Sequence, residues 1–176
     1  MIKYALINAI INVATHLART EGPFSMSFPT IHILVATTSG NTEYLADEVA
    51  ALLEQQGLTS VIHYEPSYSE LITEVTDQSI WLCCVASHGA GEYGDSMLDF
   101  SEQLSQQKPN LSPLKYAVIA VGDSCYDTYC QAGKDCDAML QLLGAKKLLD
   151  RLEIDMSCDD PIEKSSTWLP YFIQAL

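Results

Sequence analysis

The chain has 176 residues, 48% of them hydrophobic, enough to bury the core of one ordinary domain. Nine Lys and Arg against 23 Asp and Glu leave a formal charge of -14. That charge repels phosphate backbones and anionic lipid, so it excludes a general nucleic-acid or membrane-surface role and favours basic partner surfaces.

Met1 to Ala14 is apolar apart from Lys3, but Asn8 and Asn12 interrupt it well short of the roughly 20 apolar residues a membrane span needs. A signal peptide would fit the length, yet the basic segment before it is weak. The thiol-rich chain downstream also belongs to a reducing compartment. Residues 1–30 are therefore read as an N-terminal extension outside the fold, with Met26 the expected start. Six cysteines show no paired CxxC spacing, and Cys83, Cys84 and Cys158 read as small hydrophobes packed in the interior. The expected compartment is the cytoplasm.

From Ile31 the pattern alternates strand and helix. Ile31 to Ala36 is a continuous apolar run of the kind covered on both faces. Thr42 to Gln56 follows as a helix, with Leu45, Val49, Leu52 and Leu53 on one stripe and Gly57 as its stop. Leu58 to Tyr64 reads as a strand and Ser67 to Thr73 as a short helix or turn. Ser79 to Ala86, the most apolar run, is the central strand. Met97 to Gln107 is helical and ends at Lys108-Pro109. Lys115 to Val121 is a buried strand, Ala132 to Leu143 a helix stopped by Gly144, and Lys146 to Ile154 a fifth strand. Asp160-Pro161 with Glu163 opens a last helix as N-cap, first-turn proline and capping box, and Pro170 is expected to kink or shorten it. Five strands with intervening helices imply an α/β, doubly wound parallel sheet over residues 31–176, because crossovers are right-handed. Ligands in such sheets sit beyond the carboxyl ends of the strands.

Three loops fall at those ends. Thr37-Thr38-Ser39-Gly40-Asn41-Thr42 runs straight into a helix. Its hydroxyls, close-approaching Gly40 and free helix N–H groups suit a phosphate without any lysine, which sets it apart from the ATP-binding P-loop. The plain alternative is a helix cap, which needs only one such residue. Ser87-His88-Gly89-Ala90-Gly91 ends the third strand and extends through Gly94 into a G-x-G-x-x-G match. It falls in the wrong βαβ unit for a dinucleotide fingerprint, and the acidic residue, Asp123, comes too late. Gly122-Asp123-Ser124-Cys125-Tyr126-Asp127-Thr128-Tyr129-Cys130 ends the fourth strand, and its plain alternative is an acidic surface turn with tyrosine packing. His16, His32 and His63 offer His88 no second ligand at metal spacing.

These three loops, with Ile33 to Ala36 before the first and Ala46 and Val49 after it, resemble the flavodoxin family in its short-chain form, and most closely the MioC-type branch. Val35 stands where an aromatic is usual. The resemblance implies a flavodoxin-like doubly wound five-stranded parallel sheet with helices on both faces, FMN as cofactor, and single-electron transfer between a flavodoxin/ferredoxin-type reductase and an acceptor redox enzyme. It further implies phosphate contacts from Thr37, Thr38, Ser39, Gly40, Asn41 and Thr42. Contacts along the ring are implied for Ser87, His88, Gly89, Ala90 and Gly91, where the Gly89 peptide turns its carbonyl to the one-electron-reduced ring. Tyr126 matches the stacking tyrosine, worth about 0.5–1.5 kcal/mol beyond burial. Tyr129 lies beside it in the same loop, and Asp123 and Cys130 present backbone groups to the pyrimidine edge. His88 occupies the place of a second stacking aromatic, leaving that face to His88, to Tyr93 or open. Docking is expected through the acidic surface, by a monomer. Two other classes stay open: a flavin-dependent quinone or nitro reductase, and a flavodoxin-fold regulatory module with weak FMN affinity.

Overall fold

A computed structural model describes residues 29–176. The expected extension, up to residue 28, and the start at Met26 fall outside them. The chain from Ile31 builds β1 (Ile31–Ala36), α1 (Asn41–Gln55), β2 (Ser60–His63), α2 (Tyr68–Thr73) and β3 (Ile80–His88). Then come β4 (Glu92–Tyr93), a 3-10 turn at Asp95–Met97, α3 (Leu98–Gln107), β5 (Lys115–Gly122), α4 (Gln131–Leu142), β6 (Lys146–Lys147), β7 (Leu152–Asp155) and α5 (Pro161–Ala175). The parallel order is β2-β1-β3-β5, with β6 and β7 successive pieces beside β5. The chain reverses direction across the sheet between β1 and β3.

Alternation along the strands sends side chains to two separate cores, as a period of two requires. Trp81, Cys83 and Val85 join Leu34, Tyr116, Phe100 and Leu140 on the face covered by α3 and α4. Ile80, Leu82 and Cys84 join Ile33, Ile119, Leu45, Val49 and Phe172 on the face covered by α1 and α5. Helices therefore lie on both faces, and β3 is the centre, as its apolar run predicts. Asp160 caps α5 as read, accepting the N–H groups of Ile162 and Glu163, both at 2.9 Å.

Four local expectations are corrected. The fifth strand is split, because Leu148 and Leu149, adjacent in sequence, both pack on the α1/α5 core. An extended strand would point them to opposite faces. On either side of this break Lys147 and Arg151 reach the same Asp137 Oδ2, at 2.9 and 2.6 Å. Pro170 does not shorten α5, which runs on to Ala175; Trp168 and Phe172 stack across that turn at 5.7 Å. Cys158 is exposed rather than packed inside, while Cys83 and Cys84 are buried as expected. A two-residue strand, β4, folds back antiparallel on the end of β3, where the sequence shows only a loop. Among the described residues no helix is long and apolar enough to cross a membrane.

Candidate functional site

The loop after β1 is held open by its own hydroxyls. Gly40 adopts φ 84 and caps α1 without any side-chain hydrogen bond, a backbone conformation that costs glycine little. Thr37 Oγ1 accepts the Gly40 N–H at 3.0 Å, and Thr38 Oγ1 accepts the Asp95 N–H at 3.2 Å. Thr37 and Thr42 are buried, whereas Thr38, Ser39 and Asn41 are exposed. The N–H groups of Thr38, Ser39, Asn41 and Thr42 find no acceptor among the described residues. Unpartnered donors at a helix start, on the positive end of its dipole, are the chemistry of an anion site.

Ser96, which sequence reasoning passed over, and Gly94, which it met only in a discounted glycine motif, shape this loop. Ser96 Oγ donates to the Val35 carbonyl at 2.9 Å and accepts the Thr37 N–H at 3.0 Å. Gly94 presses on the Thr37 backbone. Both contacts join segments some 60 residues apart, and nothing in the local pattern signals them. Beside the loop opens a groove of about 670 Å³ whose lining includes Thr37, Thr38, Glu43, Tyr64, Asp95 and Asp99. His88 and Tyr126 do not line this groove, and both are exposed.

The second loop is the tip of the β3–β4 hairpin. His88 accepts the Gly91 N–H on its carbonyl at 2.8 Å, and the Glu92 carboxylate accepts the Ala90 N–H at 2.7 Å. His88, Gly89 and Ala90 are exposed. Ser87 is half-buried and its Oγ accepts the Ala132 N–H at 3.1 Å, tying β3 to the start of α4. Gly91 packs on the third loop: a Cβ there would lie 3.1 Å from Thr128 Cβ and 2.9 Å from Gln131 Cβ. Tyr93 turns inward to line a small cavity with Trp81, Cys83, Met97 and Cys136, and burial pushes its hydroxyl pKa up. The inward packing of Tyr93 leaves two of the three expected arrangements for that face, His88 over it or an open face.

The third loop carries the aromatic. Asp123 Oδ1 accepts the Cys125 N–H at 2.8 Å and its carbonyl accepts the Tyr126 N–H at 3.1 Å, a turn that leaves Tyr126 65% exposed. An exposed aromatic on a braced turn is a ready stacking surface. Tyr129 is half-buried, with its pKa raised chiefly by burial, and Lys134 Nζ lies 5.3 Å from its ring centroid. Cys130 is buried at φ 54, where its N–H would clash with any side chain at Gly122. Its thiol pKa is also raised by burial. A further residue the sequence did not single out, Asp155, accepts the Ser124 N–H at 3.0 Å and fixes the loop to the end of β7. Hydrogen bonds from Ser124 and Ser157 hold its carboxyl well below the usual carboxylate range.

Free N–H groups at a helix start, at the switch point of a parallel sheet, suit an anionic ligand, and the loop after β5 carries an exposed tyrosine. Residues 33–168 match the family model for flavodoxin, and the chain belongs to that family. Flavodoxins are themselves a standard illustration of the switch-point rule. The cofactor is accordingly FMN and the function electron transfer.

The chain is 33% identical over 147 residues to the Protein MioC homolog of Haemophilus influenzae, covering 83% of this chain and 98% of that protein. It is 31% identical over 161 residues to the sulfite reductase [NADPH] flavoprotein alpha-component of Bacillus subtilis, 89% of this chain but 25% of that one. Among solved structures, a cysteine-to-alanine mutant of flavodoxin from Pseudomonas aeruginosa superposes with TM-score 0.76 at 26% identity, over 84% of this chain and 98% of the other.

Proposed function

We propose that the chain is a one-electron shuttle, with FMN phosphate on the Thr37–Thr42 loop and its ring on the shelf between His88–Gly91 and Tyr126. The observation that carries this reading is the set of unpartnered N–H groups at Thr38, Ser39, Asn41 and Thr42, left free by a glycine cap. FMN, when bound, supplies the one-electron chemistry. The chain's own residues do the rest. Thr37 and Thr38 hydroxyls hold the loop open, Asp123 and Asp155 brace the turn that presents Tyr126, and Glu92 pins the Ala90 N–H at the hairpin tip. Acidic side chains around the shelf, Asp123 and Asp127 among them, raise the cost of adding negative charge there. They also offer a docking surface to a basic reductase and acceptor. All six cysteines are free thiols, which suits the cytoplasm.

The inward turn of Tyr93 favours one second reading, a regulatory module with weak FMN affinity, because it leaves Tyr126 without a second tyrosine to hold the other face of the ring. Titration with FMN followed by visible absorbance, then anaerobic photoreduction, separates the two. Tight binding with single-electron steps supports the shuttle. Absence of binding overturns it in favour of the module.

A further inference from the structure

Of the six cysteines, Cys83, Cys84, Cys130 and Cys136 are buried, and burial pushes Cys84 up to about 12. Cys125 and Cys158 are exposed, and they lie on turns from distant parts of the chain that the fold ties together. Asp155 Oδ1 accepts both the Ser124 N–H and the Ser157 N–H, each at 3.0 Å, and the two serine hydroxyls are 3.3 Å apart. Each of these serines is followed directly by one of the exposed thiols. Cys158 Sγ lies on the same carboxylate, 3.4 Å from Asp155 Oδ2. The electron-transfer reading makes no use of either thiol. Cys125, however, immediately precedes Tyr126.

We propose that Cys125 and Cys158 form a reversible disulfide when the protein meets hydrogen peroxide, and that this bond controls the Tyr126 turn. One thiol reduces peroxide, breaking its O–O bond to give a sulfenic acid and one water. The other thiol attacks the sulfenic sulfur, an S–S bond forms, the S–O bond breaks and a second water leaves. The sulfurs lose two electrons and peroxide gains them.

The surroundings select the oxidant. Asp123, Asp127, Asp155, Asp159 and Asp160 lie within three residues of one thiol or the other. These carboxylates repel anionic thiols and disulfides but not neutral peroxide. Hydrogen bonds to Asp123 and Asp155 raise the pKa of Cys125 and Cys158 respectively. The thiolate is the attacking species, so the reaction quickens as pH rises. Closing the bond draws Cys125 toward the β7–α5 turn and pulls Tyr126 with it. The control of FMN affinity rests on the shuttle reading, whereas formation of the bond does not.

The test treats the full chain, with and without FMN, with hydrogen peroxide and maps its thiols by peptide mass spectrometry. The expected product is a single linked Cys125–Cys158 peptide pair lacking two hydrogens, reversed by dithiothreitol and abolished in both C125S and C158S. FMN affinity should fall several-fold on oxidation and return on reduction. Separate sulfinic acids, or dimers linked through one cysteine, overturn the proposal. A linked pair that leaves FMN affinity unchanged overturns its regulatory half. The linkage is read on FMN-free protein, so failure of FMN binding would sink the shuttle reading and leave the disulfide standing.

Discussion

Gly94 sits so close to the loop after β1 that a Cβ on it would lie 2.4 Å from the amide nitrogen of Thr37 and 2.5 Å from its carbonyl carbon. The three nearest atoms are all Thr37 backbone, which leaves no flexible side chain there to yield. Gly94→Ala must therefore push the β4–α3 segment off the loop, breaking the Ser96 bridge to Val35 and Thr37. Overpacking of this kind costs about 1–3 kcal/mol. The expected result is a lower urea midpoint together with weaker FMN binding, and a variant matching wild type in both would refute the contact.

Tyr126→Ala tests the shelf without disturbing the core, since the side chain is 65% exposed and its turn is braced by backbone and Asp123. The folded protein should keep its stability to within about 0.5 kcal/mol, as surface substitutions do. FMN binding should weaken, and the potential of the fully reduced flavin should rise as the electron-rich ring is removed. Binding isotherms and spectroelectrochemical titration read both. An unchanged potential would mean that Tyr126 does not touch the flavin.

The two loops at these positions are readable in the sequence because their residue types are demanded by local geometry: glycine at Gly40, a run of hydroxyls, an acidic turn before Tyr126. The strands β1, β3 and β5 are equally readable, being apolar on both faces. What the sequence hides is set by distance. Ser96 and Gly94 act on Thr37, and Asp155 on Ser124, across gaps that no window spans. Tyr93 looks available to the flavin until the β3–β4 hairpin turns it toward Trp81. The split of the fifth strand likewise depends on which core Leu148 and Leu149 reach, a tertiary choice that overrides an extended apolar pattern.

His32 and His63 stand side by side on β1 and β2, His32 Nδ1 3.0 Å from His63 Nε2, their rings stacked at 5.2 Å. One ring donates and the other accepts, an arrangement that protonating both would destroy. Burial first, and then the His32 charge, lower the His63 pKa below 6.5, with Glu74 and Glu70 opposing. The unfolded chain thus takes up the proton first. Stability is complete above pH 6.5 and falls as pH drops through the folded-state value. Thermal unfolding from about pH 7.5 to 5 should show this loss, and His63→Gln should remove it from that window.

Asp137 is 3% exposed and gathers Tyr116 Oη at 2.6 Å, Lys147 at 2.9 Å and Arg151 at 2.6 Å. Burial alone would raise its pKa. The hydrogen bonds from Tyr116 and Lys147, with the Arg151 charge, outweigh burial and leave it below the ordinary value. Asp137→Ala leaves the Tyr116 hydroxyl only the residue-137 carbonyl at 3.2 Å, frees Lys147, which reaches solvent, and leaves Arg151 paired with Glu153 alone. About 2–3 kcal/mol is expected. Asp137→Asn, which keeps an acceptor for Tyr116, should cost less, and chemical denaturation of the two variants should show that order.

The proposed docking of basic partners on a chain of formal charge -14 makes the encounter depend on fields that salt screens over about 10 Å at 0.1 M. Asp123 and Asp127 flank Tyr126 in the loop after β5. A basic redox partner should therefore be reduced more slowly as ionic strength rises, with the change in the association rate and not in the electron-transfer step once docked. Asp127→Asn should flatten that salt dependence while leaving the visible spectrum of bound FMN in place. Stopped-flow reduction of a basic acceptor across a salt series measures it, and rates independent of salt in the wild type would place docking on an uncharged face.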